Sequence, residues 1–174
     1  MILKLKRTPG LYLVGFMGSG KSTDGNLVAY ELGWTFVDID QEIEARERMN
    51  ISQIFDTRGE PAFRHIESQM IHEKVRLVQH GRPMVIALGG GAFAQDAIYE
   101  FLEENGVSVW LDCPLDTVRD RIGAADNRPL ARDPAAMAEL FERRRDAYAR
   151  ADFRIDATPE PSQICSAILE LPIF

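Results

Sequence analysis

The sequence is poor in cysteine: Cys113 and Cys165 are the only two, with no CxxC or metal-type spacing. That excludes a disulfide scaffold or a zinc module and leaves two free thiols suited to a reducing cytosol. A basic excess is also missing. The formal net charge of -7 excludes a general nucleic-acid binder, which needs a basic face, but leaves room for a local positive pocket built from a few arginines. No apolar stretch approaches the roughly 18 to 20 residues of a membrane-spanning helix. Met1 to Pro9 carries Lys4, Lys6 and Arg7 without a following apolar run, so it reads as neither a signal peptide nor a membrane anchor. Internal repeats and low-complexity blocks are absent.

What is present suits one compact domain. The 174 residues are 45% apolar, enough for a continuous core. Short apolar runs alternate with longer helix-patterned segments, the signature of a parallel sheet with crossover helices. Strands are expected near Leu11–Gly15, Thr35–Asp38, Met84–Leu88, Val107–Leu111 and Phe153–Asp156. Helices are expected over Ser22–Leu32, Ile39–Arg48, Pro61–Gln79, Asp96–Glu104, Pro114–Ile122, Pro134–Arg150 and Pro159–Leu169. Residues 123–133, GAADNRPLARD, have no periodicity and read as a long loop, the kind often used as a lid.

The strongest motif is Gly15-Phe16-Met17-Gly18-Ser19-Gly20-Lys21-Ser22. It matches GxxxxGK[ST] between an apolar strand and a helix, the context a phosphate-binding loop requires. Its glycines let backbone N–H groups turn inward on phosphate oxygens, and the helix N-terminus adds its positive dipole end. Lys21 can reach the outer phosphates of a nucleotide, and Ser22 can hold Mg²⁺. Val107–Asp112 resembles an apolar strand ending in an acid, but Asp112 reads better as a turn or cap residue than as a metal ligand.

Asp38-Ile39-Asp40 closes the second strand. Residues two apart in an extended segment point the same way, so both carboxylates can face one site, one supporting a metal and the other a substrate hydroxyl. Helix N-capping is the competing reading for either. Gly89-Gly90-Gly91 follows the third strand and offers bare backbone to a ligand, or simply a turn. Arg64, Arg128 on the expected lid and the run Arg143-Arg144-Arg145 are candidates for carboxylate or phosphate recognition; Arg64 and the run, read alone, are solvated surface charges.

Together, GFMGSGKST, DID, GEPAFR, LGGG, NRPL and RRDAY, in this order over about Leu11 to Ala167, resemble the shikimate kinase family. The resemblance implies a three-layer α/β fold with a five-stranded parallel sheet of order 2-3-1-4-5. It implies a single domain with its core over about residues 11–170, a helical substrate-binding insert at about 41–79 and a lid at about 123–135. The implied substrates are ATP and shikimate, with Mg²⁺. Gly18, Ser19, Gly20, Lys21, Ser22 and Thr23 would bind the nucleotide, Arg121 would stack on adenine, and Arg128 would close onto the γ-phosphate. Ser22 and Asp38 would hold the metal. Asp40 would take the acceptor hydroxyl, Arg64 and Arg145 the shikimate carboxylate, and Gly89, Gly90, Gly91, Phe55 and Phe63 would line the ring. A cytoplasmic monomer without nucleic-acid or membrane partners is the expectation.

Other readings stay open: a gluconate or nucleoside-monophosphate kinase on the same fold, or a non-catalytic binding module. The sequence departs from the family at Asp24, where an apolar residue is usual, and at Asn26, where Arg is common. A carboxylate so near the phosphates is expected to lower ATP affinity.

Overall fold

The computed structural model describes residues 10–123 and 133–174. Five strands form one parallel sheet: β1 (Gly10–Val14), β2 (Thr35–Asp38), β3 (Met84–Ala87), β4 (Val107–Asp112) and β5 (Phe153–Asp156), in the order β2-β3-β1-β4-β5. This is the expected order. The central strands β1 and β3 are buried along their whole length, and β4 up to its last residue. Strands covered on both faces need near-continuous apolar runs, which GLYLV, MVIA and VSVWL provide. The edge strand β5 alternates between half-buried and exposed positions.

Among the described residues eight helices flank the sheet: α1 (Lys21–Leu32), α2 (Ile39–Glu47), α3 (Ile51–Arg58), α4 (Glu60–Gln79), α5 (Asp96–Glu104), α6 (Leu115–Ile122), α7 (Pro134–Tyr148) and α8 (Pro161–Leu169). None is long and apolar enough to cross a membrane. Helix α1 stops at Gly33, whose left-handed backbone lets its N–H bond the carbonyls of Ala29 and Tyr30, as a glycine C-cap does.

Helix α3 is an addition to the expected list. Its two turns are too short for a periodic signal, but its start carries a capping box, with Asn50 and Gln53 each accepting from the other's backbone N–H. Helix α8 begins two residues later than expected, because Glu160, held extended by the following proline, is its N-cap. Helix α7 ends at Tyr148; Arg150 lies past its end, with its guanidinium over the Tyr99 ring and 2.8 Å from Asp96.

Two register facts position the site. Leu13 of β1 pairs with Ala87 of β3, and the Leu88 N–H continues the ladder by donating to the Leu13 carbonyl at 3.0 Å. The chain runs to β2 on one side of β1 and returns to β4 on the other, so the strand order reverses at the C-terminal end of β1. Open α/β sheets bind ligands in that crevice.

Candidate active site

The loop after β1 is built around three glycines with positive φ: Gly15 at 147°, Gly18 at 72° and Gly20 at 101°. A β-carbon at Gly15 would stand 2.8 Å from the Leu111 carbonyl oxygen, so only glycine lets the loop fold back over β4. Gly20 is the N-cap of α1 and supplies no capping side chain, leaving first-turn N–H groups for an anion. Lys21 Nζ donates to the Gly15 and Phe16 carbonyls at 2.8 and 2.9 Å. Those bonds lay its ammonium along the loop. The Ser19 hydroxyl is fully buried with no hydrogen-bond partner. Thr23 is exposed on the first turn of α1.

Ser22 Oγ donates to Asp38 Oδ2 at 2.5 Å, while Asp38 Oδ1 accepts from the Gln41 N–H at 3.2 Å. Asp38 therefore caps α2 and also meets the phosphate loop; the two readings of this residue hold together. A hydroxyl beside a carboxylate is a hard-oxygen donor set that fits Mg²⁺. That ion takes one or two protein ligands and completes its shell with water and phosphate. No group of three or more His, Cys, Asp or Glu that could hold a metal converges among the described residues. Asp112 is engaged elsewhere: Arg154 Nε donates to it at 2.9 Å and Arg145 Nη1 stands 3.7 Å away.

The second half of the site lies over Gly89, Gly90 and Gly91. A β-carbon at Gly89 would meet Asp40 Oδ1 at 2.7 Å and Glu67 Oε1 at 2.8 Å; one at Gly90 would meet Arg144 Nη1 at 2.9 Å; one at Gly91 would press into the Arg64 guanidinium. Each glycine thus lies under a charged side chain, carboxylates at one end and guanidinium groups at the other. Tyr148 ties them together, donating to the Gly90 carbonyl at 2.5 Å. Burial pushes its phenol up to about 12, opposed by Arg144, which also hydrogen-bonds it, and by Arg64. Phe55 and Phe63 lie tilted at 37° with ring centroids 4.7 Å apart, and the Arg64 guanidinium lies 5.2 Å from the Phe63 centroid.

One expectation changes here. Arg145 does not join Arg64. Its guanidinium lies 5.5 Å from the Trp110 centroid and 5.6 Å from that of Phe141, facing Asp112, and the preceding residue, Arg144, takes the place over Gly90. Consecutive helical residues point about 100° apart, and α7 docks with Phe141 and Tyr148 buried, which selects Arg144 for the site. Arg121 is fixed by Nη2 donating to the Ala157 carbonyl at 2.7 Å, with Nη1 3.4 Å from the Ser19 carbonyl. Arg128 and most of the expected lid lie outside the described residues.

Sequence reasoning missed Glu67. It is fully buried, accepts from Arg64 Nη1 at 2.8 Å and from Gln95 Nε2 at 3.0 Å, and its other oxygen has no partner. Its only sequence signal was the i, i+3 spacing from Arg64 on α4. Glu67 also acts on Asp40, whose carboxyl is pushed up to about 6 by burial, then by Glu67 and Asp38, against the lowering effect of Lys21. An acceptor carboxylate held near neutrality, beside a phosphate loop and opposite two arginines, suits proton removal from a hydroxyl on an anionic substrate.

Asp24 is 2% exposed and its Oδ2 has no hydrogen-bond partner. Burial pushes its carboxyl up to about 6, with Arg121 pulling the other way. An acid whose folded-state value is raised binds its proton more tightly folded than unfolded, so it costs stability once ionised. In nucleotide-free protein, Asp24→Val is expected to be no more stable than the parent below pH 4. Its advantage should grow through pH 4 to 6 and reach about 3 kcal/mol at most above pH 7. Urea unfolding of both proteins across that range checks this.

Comparison with known proteins bears directly on this arrangement. The family profile described as "Shikimate kinase" matches residues 17–171. A shikimate kinase of Persephonella marina is 45% identical over 161 residues, covering 91% of this chain and 96% of that one. The solved structure of shikimate kinase from Acinetobacter baumannii in complex with shikimate superposes with a TM-score of 0.86 at 32% identity, over 98% of this chain and 96% of that one. A gluconokinase from Sinorhizobium meliloti, at 17% identity and a TM-score of 0.60 over 92% of this chain and 89% of that one, shares the fold alone.

Proposed function

The chain belongs to the shikimate kinase family, and from that premise we propose how its residues divide the work. The reaction is ATP-dependent phosphorylation of shikimate in aromatic amino-acid biosynthesis, with Mg²⁺. The shikimate 3-hydroxyl oxygen bonds to the γ-phosphorus, the bond from that phosphorus to the ADP oxygen breaks, and the hydroxyl proton goes to Asp40. The single observation that carries this assignment of roles is the placement of Asp40, Arg144 and Arg64 over three consecutive glycines beside the phosphate loop.

Residues 15–23 hold the nucleotide phosphates through backbone N–H groups and Lys21. Ser22 and Asp38 hold Mg²⁺, which neutralises charge on the phosphates when bound. Arg64 and Arg144 take the shikimate carboxylate, a planar group suited to guanidinium forks. Phe55 and Phe63 supply the apolar wall. Gly89 to Gly91 let the ring approach the backbone. Arg121 serves the adenine side, and Arg128 is assigned to the γ-phosphate on sequence alone. The insert, about residues 41–79, is the substrate-binding part of a single domain. Cys113 and Cys165 are free and buried, which supports a reducing, cytoplasmic setting; a monomer completes the reading.

A coupled ADP-release assay with Mg²⁺-ATP tests the function, offering shikimate, gluconate, AMP and CMP in parallel with a no-acceptor control. Turnover is expected on shikimate alone. Turnover on another acceptor would overturn the pocket assignment, and silence on all four by folded protein would favour a non-catalytic module.

Glu67 gives a further test. Its charge orients Arg64 and helps hold Asp40 near neutrality, so Glu67→Gln should raise KM for shikimate roughly tenfold. Removing a negative neighbour lowers the Asp40 value, so the acid limb of the kcat/KM profile should move to lower pH. An unmoved limb would mean that Glu67 does not act on the base.

A further inference from the structure

Beneath the phosphate loop, on the side away from the glycine triplet, two charged groups share one seam. From the point where a β-carbon on Gly20 would stand, Asp24 Oδ2 is 2.6 Å away and Arg121 Nη1 3.8 Å; any side chain at residue 20 would press on the carboxylate and crowd the guanidinium. The carboxylate caps nothing, since the N-cap of α1 is Gly20 and Oδ2 accepts no hydrogen bond. Nor does it reach solvent. The positive charge that favours its ionised form is Arg121.

Arg121 has a complementary shortage. Its hydrogen bonds go to neutral acceptors on three separate segments: the Ala157 and Thr158 carbonyls at 2.7 and 3.5 Å, the Ser19 carbonyl at 3.4 Å and Cys113 Sγ at 3.6 Å. The bonds to Thr158 and Ser19 are long, sulfur is a weak acceptor, and the residue is otherwise exposed. A long, solvated side chain gives up much rotamer freedom to stay in one place, and such bonds to neutral acceptors are weak compensation. A fixed negative charge behind the guanidinium supplies the missing bias.

We propose that Asp24 is a positioning residue for nucleotide binding. Its buried carboxylate holds Arg121 in the seam between the phosphate loop and the β5–α8 turn, where the guanidinium forms one wall of the adenine site. The inference rests on the assignment of Arg121 to the nucleotide. It reverses the effect expected from sequence: this carboxylate raises ATP affinity through the base, although it lies close to the phosphates.

The test separates base from phosphate. Binding of ADP and of inorganic pyrophosphate, each with Mg²⁺ at pH 8, is measured by calorimetry for the parent, Asp24→Val, Asp24→Asn, Arg121→Met and Asp24→Val/Arg121→Met. Asp24→Asn keeps the shape and guards against misfolding of the valine variant. Both Asp24 variants should weaken ADP by about three- to tenfold, the range of one partly buried charge pair, with pyrophosphate no weaker. The double variant should bind ADP no more weakly than Arg121→Met alone. In turnover, KM for ATP should rise while kcat and KM for shikimate hold. ADP binding unchanged or tighter in the Asp24 variants would overturn the proposal. Equal weakening of ADP and pyrophosphate would also overturn it, since that is loop damage. If Arg121→Met itself leaves ADP affinity unchanged, the assignment of Arg121 to the nucleotide fails first and the proposal with it.

Discussion

Asp40→Asn is expected to lower kcat by roughly 10² to 10⁴-fold, the usual contribution of a positioned base, while shikimate binding by calorimetry changes by less than about tenfold. Asparagine keeps an oxygen that can accept from a substrate hydroxyl but cannot take the proton. Asp40 lies on the first turn of α2, facing Gly89 with Glu67 beside it. Burial and its acidic neighbours hold it near pH 6, where it is ionised at neutral pH and still basic enough to work. Loss of both turnover and binding would assign Asp40 to positioning alone. The parent kcat/KM should fall as pH drops through about 6, because a protonated carboxyl cannot accept the hydroxyl proton; a profile flat to pH 5 would contradict its role as base.

Arg144→Ala and Arg145→Ala, compared side by side, carry the second large effect. Arg144→Ala should raise KM for shikimate on the order of 10²-fold, as loss of a charged partner to a desolvated carboxylate does. Arg145→Ala should leave KM within about threefold and instead cost about 1 kcal/mol of stability, through lost contact with Trp110 and a half-exposed ion pair with Asp112. The opposite ranking would return the carboxylate clamp to Arg145. Since Tyr148 is hydrogen-bonded to Arg144 and donates to the Gly90 carbonyl, Tyr148→Phe should produce a smaller version of the Arg144 effect, roughly tenfold in KM.

The contrast between these neighbouring arginines shows what could be read from the chain and what could not. The phosphate loop was legible because its chemistry is local: strand, glycines, lysine and helix start follow one another within a few residues, and each has its own conformational reason. The sheet order was legible through the family motifs. The choice between Arg144 and Arg145 was not, because it depends on how α7 rotates about its axis, which Phe141 and Tyr148 decide by packing against Phe16 and Trp110. Glu67 was hidden for a related reason. A charged residue on a long amphipathic helix reads as solvated, and only the fold reveals that it is enclosed with Arg64 and Gln95. Helix α3 was missed because two turns cannot display a period, although its capping box was in plain view. Asp24 stood out by its rarity at that place, but its relation to Arg121 joins residues brought together only by the return of β4 alongside β1.

The pairing of β1 with β3 also sets a distance. Gly15 begins the phosphate loop two residues after Leu13, and Gly89 begins the glycine triplet two residues after Ala87, the residue with which Leu13 is in register. The two halves of the site therefore leave neighbouring strands at the same height, from backbones roughly 4.8 Å apart, and the sheet acts as a gauge for the reach of phosphoryl transfer. Lengthening either strand by one residue would slide one half of the site by about 3.3 Å against the other, as large as the whole gap between reacting atoms in a productive complex. Such a variant could keep both ligands and lose the reaction between them. The spacing of this enzyme's chemistry is thus stored in hydrogen bonds that touch neither substrate.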